Sequence, residues 1–210
     1  MENSFNQGAS LTLLSPISLH EGVASLSRGA YFKEASLDMA LSILTESAAR
    51  MSGIQRVSIW ALTDDHSELR CLELYELASG RHSSGGLLRA SLYPGYFEAL
   101  RREGCIAADD ASLEAITSEL AADYLQRHAI TALIHAPINI RGELQGVLCL
   151  EQVRVRQLWH AIHRLFALSI ANLVTLALVE YEANEAKRAA QHANDRLRAA
   201  FDGFPGFGPF

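Results

Sequence analysis

Hydrophobic and polar positions change their period several times along this chain. Leu37, Leu41, Leu44, Ala48 and Met51 recur at spacings of 4, 3, 4 and 3. This is the stripe of an amphipathic helix, stopped by Gly53 just past its last turn. From Gln55 to Thr63 the pattern alternates and is β-rich. Asp64-Asp65-His66-Ser67 then supplies turn chemistry, and Glu68 to Leu77 reads as the second strand of a hairpin. Residues 79–95 carry Ser-Gly, Gly-Gly and Pro-Gly signals and read as loop, with room for one short strand. Tyr96 to Arg102 fits a short helix closed by Gly104, and Cys105 to Ala108 a short strand. Ser112 to His128 is mostly helical, with Leu120, Tyr124 and Leu125 at helical spacing. Thr131 to Ile140 and Glu143 to Gln152 are the clearest strands, joined into a hairpin by Arg141-Gly142. The order of elements predicts an α+β domain with one sheet, helices on one side and loops on the other.

Alternate positions of these strands differ in character. One parity carries Val57, Ile59 and Ala61, then Ala132, Ile134, Ala136 and Ile138, then Leu144, Leu148 and Leu150. That face is apolar throughout and is expected to pack on the terminal helices. The other parity carries Ser58 and Trp60, then Thr131, Leu133 and His135, then Gln145, Val147, Cys149 and Glu151. A mixed face on such apolar strands fits the floor of a concave site with a few convergent polar groups. The alternative is a half-solvated face. The long stretch of loop and short helix between the two hairpins favours the first reading, because it needs a surface to cover.

From Arg156 to about Ala200 the chain has neither Gly nor Pro. One helix of that length would extend about 65 Å, more than a compact domain covers. Along it Leu158, Ile162, Leu165, Ser169, Asn172, Leu176, Val179, Ala183, Ala186, Ala190, Ala193 and Leu197 follow an alternating 4,3 spacing. This is a coiled-coil or bundle seam. Its first half is expected to cover the apolar sheet face and its second half to project beyond the domain. A solvated extension is the alternative. The organisation read from the chain is a loose leader over 1–17, a folded domain over 18–182, a helical extension over 183–200 and a Phe/Gly/Pro tail over 201–210.

Composition sharpens this picture. The 210 residues suffice for one domain plus helical extensions. A net charge of −6 offers no basic surface for a phosphate backbone, so nucleic acid is not expected as a partner. The three cysteines Cys71, Cys105 and Cys149 contain no CxxC pair and read as reduced thiols. No apolar run reaches the roughly 18 residues needed to span a bilayer, and no signal segment opens the chain. The expected location is the cytoplasm.

Several side chains on the mixed face carry candidate chemistry. His135 can hydrogen-bond a ligand or ligate a metal, or it is a core histidine satisfied by a neighbour. Trp60 is a stacking platform or a core aromatic. Cys149 is a space-filler, since a redox role needs a lowered thiol pKa and access. Glu151, at a strand end, is either a carboxylate at the pocket mouth or a solvated terminus. Ser58, Leu133 and Tyr75 complete the strand candidates, and Tyr96, Asp109, Tyr124 and His128 belong to the covering segment. Asp109 and Asp110 also suit turns and helix caps. His160 and His163 stand at i, i+3 with no third ligand in view. No catalytic triad, phosphate loop or zinc motif emerges, so neither catalytic nor metal residues are assigned and no cofactor is named.

The run Arg56-Val57-Ser58-Ile59-Trp60-Ala61-Leu62 resembles the first strand of a GAF domain. So do Ile130 to Ile138 and the stretch Arg141-Gly142-Glu-Leu-Gln-Gly146-Val-Leu-Cys-Leu-Glu151. Ile106 to Ala111, Tyr124-Leu125, Trp159, Phe166-Ala167, Ile170-Ala171 and Ala177-Leu178 sit where that family places similar residues, so the resemblance spans about residues 36–182. It implies a sensory module that binds a small molecule between sheet and loops and dimerises through terminal helices. Such modules occur in bacterial two-component and cyclic-di-GMP signalling proteins, with an output domain or a partner kinase or cyclase. The signatures of the subfamilies are missing. Phe97 is followed by Arg101-Arg102 where the cyclic-nucleotide binders carry acids, and Cys105 has no neighbouring His for a bilin. His128 is loosely placed for a haem ligand. The expected function is a non-enzymatic small-molecule sensor acting through its helices. The alternatives are a redox enzyme similar to the free methionine-sulfoxide reductases, or a ligand-free dimerisation module.

Overall fold

The computed structural model describes residues 16–29 and 35–202. Nearly all of the leader, and the tail from residue 203, lie outside the described residues. Helix α1 (Pro16–Ser27) precedes α2 (Leu37–Ser52). Helix α2 forms where its stripe predicts. Ser36 caps its first turn by accepting the Met39 N–H at 3.3 Å, and Asp38 and Arg50 complement the helix dipole at its two ends. Gly53 ends it at φ 70, a left-handed conformation natural to glycine, with its N–H on Ala49 O.

Seven antiparallel strands follow: β1 (Arg56–Leu62), β2 (Glu68–Glu76), β3 (Arg81–Ser83), β4 (Leu87–Arg89), β5 (Ile106–Ala108), β6 (Ile130–Ile140) and β7 (Glu143–Val153). Their spatial order is β3-β2-β1-β7-β6-β5, with β4 also pairing β2. The two long hairpins therefore meet at the sheet's centre, where β1 lies against β7. Helix α3 (Pro94–Arg102) and a run of 3₁₀, π and α turns (Ser118–His128) connect the strands. Helix α4 (Ala161–Asp202) ends the described chain. Helix α1 and the split of residues 79–95 into two three-residue strands were not legible in the periodicity. Residues 112–117 are turns, so that helical stretch begins only at Ser118.

The sheet separates two cores. On one face α1, α2 and α4 pack over Val57, Ile59, Ala132, Ile134, Ala136, Ile138, Leu148 and Leu150, as the first parity predicts. On the other, α3 and the turns over 118–128 cover Trp60, Leu133, Val147 and Cys149. Strict alternation fails at the two register shifts of the β6–β7 pair, the first of which leaves Thr131 without a ladder partner between Ile130 and Ala132. Ile138 pairs Gly146 while Asn139 pairs Leu144, so Gln145 is an extra residue and Leu144 turns to the loop side. Two backbone positions fix the central hairpin. Arg141 (φ 55) and Gly142 (φ 85) supply the positive dihedrals of its two-residue turn. At Gly146 a Cβ would stand 2.2 Å from Trp60 O, so only glycine lets β7 approach β1.

Helix α4 departs from expectation in which face it buries. Phe166, Ala167, Ile170, Ala171, Val174 and Ala177 lie against the sheet. The 4,3 seam is rotated away: Leu165, Leu176, Val179 and Leu197 are exposed. By length and composition alone α4 is also apolar enough to cross a membrane, contrary to the reading of the sequence. Its apolar half is instead a core helix packed on a sheet.

Candidate functional site

The loop-side face of β1, β7 and β6 presents polar side chains in two adjacent rows. Ser58, Cys149 and His135 face one another across the three strands, and Arg56, Glu151 and Leu133 form the next row. Residues directly opposite in a ladder hold their Cβ atoms about 5 Å apart, so pairing alone brings these groups together. Glu151, His135, Ser58, Cys149 and Arg56 are all buried. The covering segment completes the set. Tyr96 from α3 and Tyr124 from the π turn reach down onto the strands, with Trp60 meeting Tyr124 edge-on at 6.1 Å between ring centroids.

Two hydrogen-bonded groups, Tyr96–His135 and Tyr124–Glu151–Arg56–Glu76, face each other across a gap between His135 and Glu151. Tyr96 Oη lies 2.7 Å from His135 Nδ1, and His135 Nε2 lies 3.6 Å from Glu151 Oε1. Tyr124 Oη donates to that same oxygen at 2.8 Å, while Arg56 Nε donates to Glu151 Oε2 at 3.2 Å. Arg56 Nη1 continues the chain to Glu76 Oε1 at 2.8 Å, where it reaches half-exposed surface. Trp60 Nε1 donates to Ser58 Oγ at 2.8 Å. His135 Nε2 is buried with no hydrogen-bond partner.

The buried setting shifts the titratable groups. Burial works to raise the Glu151 carboxyl, but His135, Arg56 and Tyr124 together hold it below the ordinary carboxylate range. Burial, with the Glu151 charge adding, pushes the Tyr124 hydroxyl and the Cys149 thiol well up. Burial also raises the Tyr96 hydroxyl. The cluster therefore holds one carboxylate, one guanidinium and several neutral donors, and Cys149 is protonated at neutral pH.

Eight of the sequence candidates meet here: Ser58, Trp60, Tyr96, Tyr124, Leu133, His135, Cys149 and Glu151. Glu151 is neither a solvated terminus nor at a pocket mouth, since it is fully buried and accepts one hydrogen bond on each oxygen. His128 lies at the rim, its ring against Tyr124 at 5.1 Å, where burial lowers its pKa. Two candidates stand elsewhere. Tyr75 pairs with Val57 and belongs to the helix-side core. Asp109 accepts the Trp159 backbone N–H at 2.8 Å and joins the covering segment to the start of α4. Arg56 was missed, although an arginine on the same parity as Ser58 and Trp60 signals a buried charge seeking a carboxylate.

The family model described as GAF domain matches residues 36–178, more than half of the chain. The chain belongs to the GAF domain family. No curated protein sequence matches it. Among solved structures it is similar to the GAF domain of a phosphoenolpyruvate-protein phosphotransferase from Coxiella burnetii, at 17% identity and TM-score 0.64, covering 82% of this chain and 99% of that one. It is also similar to a bacteriophytochrome from the photosynthetic bacterium R. palustris, at 15% identity and TM-score 0.66, covering 90% of this chain and 43% of that one. The free methionine-R-sulfoxide reductase of Neisseria meningitidis, solved with its substrate, matches at 11% identity and TM-score 0.60, covering 80% and 89%. Identities this low establish the shared GAF fold, and the cluster on this chain's sheet must be judged on its own residues.

Proposed function

We propose that this GAF domain is a cytoplasmic sensory module that binds a small molecule on the loop-side face and transmits occupancy to its terminal helices, without catalysing a reaction. The observation that carries the reading is the mechanical joint between site and helix. The segment that covers the polar cluster leaves β5 at Asp109, and Asp109 holds the Trp159 N–H two residues before α4 begins. Trp159 Nε1 also donates to Ala108 O at 3.0 Å, and Arg156 pairs with Asp110 at 3.0 Å. A ligand that displaces Tyr124 moves the segment after β5, and that segment is tied through Asp109 and Asp110 to Trp159 and Arg156, just before the helix. Transmission is then a population shift, in which the ligand favours the helix arrangement it binds better.

Several features oppose catalysis by thiol chemistry of the reductase kind. Burial raises all three thiols, Cys71 to about 12, and outweighs the Arg56 charge at Cys71 and Cys149 and the Arg164 charge at Cys105. The proposed assembly is a homodimer through the helices around 37–51 and 158–197, read out by an output domain or a partner kinase or cyclase. The test is native mass spectrometry of freshly purified chain, followed by hydrogen exchange with any co-purified or screened ligand. Ligand mass lost on denaturation, with altered exchange across residues 157–170, is the expected result. A ligand that binds while leaving that exchange unchanged overturns transmission. A chain that melts at the same temperature with every ligand class tried is the ligand-free dimerisation module instead.

A further inference from the structure

His135 Nδ1 or Nε2, Cys149 Sγ and a Glu151 carboxylate oxygen form a buried group whose donor atoms all lie within 4.8 Å of one another. His135 and Cys149 are cross-strand partners, and Glu151 follows two residues along the same face of β7. We propose that these three side chains bind one divalent transition-metal ion, zinc being the ion that suits the set, with a fourth coordination position left for water or a small exogenous ligand. The site stands on this geometry alone, whether or not an organic ligand binds the same face.

Three observations support it. The first is the orphan: His135 Nε2 is buried, unpartnered and directed toward Glu151 Oε1. Leaving a buried imidazole nitrogen unsatisfied is costly, and coordination satisfies it. The tautomer required has Nδ1–H donating to Tyr96 Oη, which turns the Nε2 lone pair into the cluster. The second is size. Bonds of about 2.0–2.3 Å in tetrahedral zinc separate ligand atoms by roughly 3.3–3.7 Å. The His135 Nε2 to Glu151 Oε1 separation of 3.6 Å already falls in that range, and a ring nitrogen of His135, Cys149 Sγ and a Glu151 oxygen all lie within 4.8 Å of one another.

The third is charge and support. A divalent ion with the Cys149 thiolate and the Glu151 carboxylate is neutral, the thiol proton leaving to solvent. The Arg56–Glu76 pair beside it is neutral as well, so the loaded site buries no net charge. Each ligand also has an outer partner: Tyr96 on His135, and Tyr124 and Arg56 on Glu151. Ser58 stands opposite Cys149. Such partners orient metal ligands and hold their protonation state. The mixed nitrogen, sulfur and oxygen set favours zinc or a neighbouring borderline ion over magnesium or calcium. Among the described residues no fourth protein ligand joins the group, the pattern of a site that keeps an open position.

The experiment uses zinc and cobalt(II) alone as probes on the full chain, added to the native protein and, separately, during refolding from urea. The expected result is one ion per chain by elemental analysis, with a thiolate-to-cobalt charge-transfer absorption. A Cys71→Ser/Cys105→Ser double variant keeps that absorption, because Cys149 is then the sole thiol. Cys149→Ser and His135→Gln abolish it, and Tyr96→Phe weakens zinc affinity by about 10–100-fold. Absence of stoichiometric uptake by either loading route overturns the proposal. So does uptake that survives Cys149→Ser, or loss of the absorption in the double variant. If Cys149→Ser fails to fold, the double variant decides by itself. None of these readouts depends on signalling, so their failure leaves the sensory reading standing.

Discussion

Glu151 is the residue on which the site's electrostatics turn. It sits fully buried between Arg56, Tyr124 and His135. Removing one partner of a buried ion pair leaves the other charge stranded, at a cost of about 3–5 kcal/mol. Glu151→Ala is therefore expected to lose about that much in urea unfolding. The double change Arg56→Met/Glu151→Leu should recover at least about 1 kcal/mol of it, because no unpaired charge remains. A Glu151→Ala variant as stable as the parent would show that the cluster is open to water. The thiols make a second prediction. Burial first, then the Glu151 and Glu73 charges, push Cys71 up to about 12. At pH 8 roughly one molecule in ten thousand then carries that thiolate. Cys71 and Cys149 should stay silent to a disulfide reagent in the native chain, and all three cysteines should react in urea. Rapid native labelling of Cys149 would overturn this account. Strand parity alone placed Ser58, Trp60, Leu133, His135, Cys149 and Glu151 on one face. Tyr75 was misjudged because nothing in the sequence shows which parity of β2 lines up with β1, and that depends on the pairing Val57↔Tyr75. The proposed ligand set was equally unreadable. Two of its members are 14 residues apart in sequence yet directly opposite in space, so no spacing rule marks them.

Turns and joints, rather than strands and helices, decide what each element does. Between β1 and β2 the Asp65 carboxylate accepts from Thr63 Oγ1 at 2.7 Å, from Ser67 N at 3.1 Å and from Ser67 Oγ at 2.8 Å. Those bonds, Thr63 first, lower its pKa to about 2. A carboxyl depressed in the folded state contributes stability above its unfolded value of about 3.9. That contribution is lost as pH falls through about 2. Asp65→Asn is thus expected to melt below the parent at pH 6, with the gap closing between pH 4 and 2. An Asp65 carboxyl titrating near 4 by NMR would refute the turn's geometry. The neighbouring residues carry a similar lesson about legibility. The hairpin turns at Asp64–Ser67 and Arg141-Gly142 were readable because turn chemistry is local. The bulge at Gln145, which moves Leu144 to the other face, was not, because it is a property of the pairing of β6 with β7. In sequence Asp109 suits a turn, a helix cap or a ligand contact. It is a joint to Trp159, fifty residues away, a contact visible only once β5 and the start of α4 are side by side.

At the scale of the whole molecule, the question is what the exposed stripe of α4 is for. The 4,3 seam was legible, but its direction was not: two apolar stripes share this helix, and only packing shows which one the sheet takes. The sheet takes Phe166, Ala167, Ile170, Ala171, Val174 and Ala177. Leu165, Leu176, Val179 and Leu197 are left in solvent at 60%, 40%, 41% and 59% exposure. Beside them an open groove of about 420 Å³ runs between the β6–β7 turn and the helix, lined by Asn139, Arg141, Val179, Ala183 and Ala186 among others. Beyond the sheet the helix continues with exposed positions on every side through residue 200. A single isolated helix projecting that far lacks the tertiary packing that gives most helices their stability. A second copy packing seam to seam would bury these leucines and support both projections, with small residues at 183, 186, 190 and 193 allowing close approach. Light scattering of the full chain is expected to give a dimer's mass. Leu165→Glu/Leu176→Glu should convert it to a monomer whose folded sheet, judged by near-ultraviolet dichroism, is intact, because both leucines are exposed at 60% and 40% and belong to neither buried core. The loss of the partner should also fray the helix beyond Ala183, seen as faster amide exchange there and slower exchange in the parent. A parent chain that scatters as a monomer at all concentrations, with the projecting helix already exchanging freely, would remove the seam from the signalling scheme and leave the cover-to-α4 joint as its only moving part.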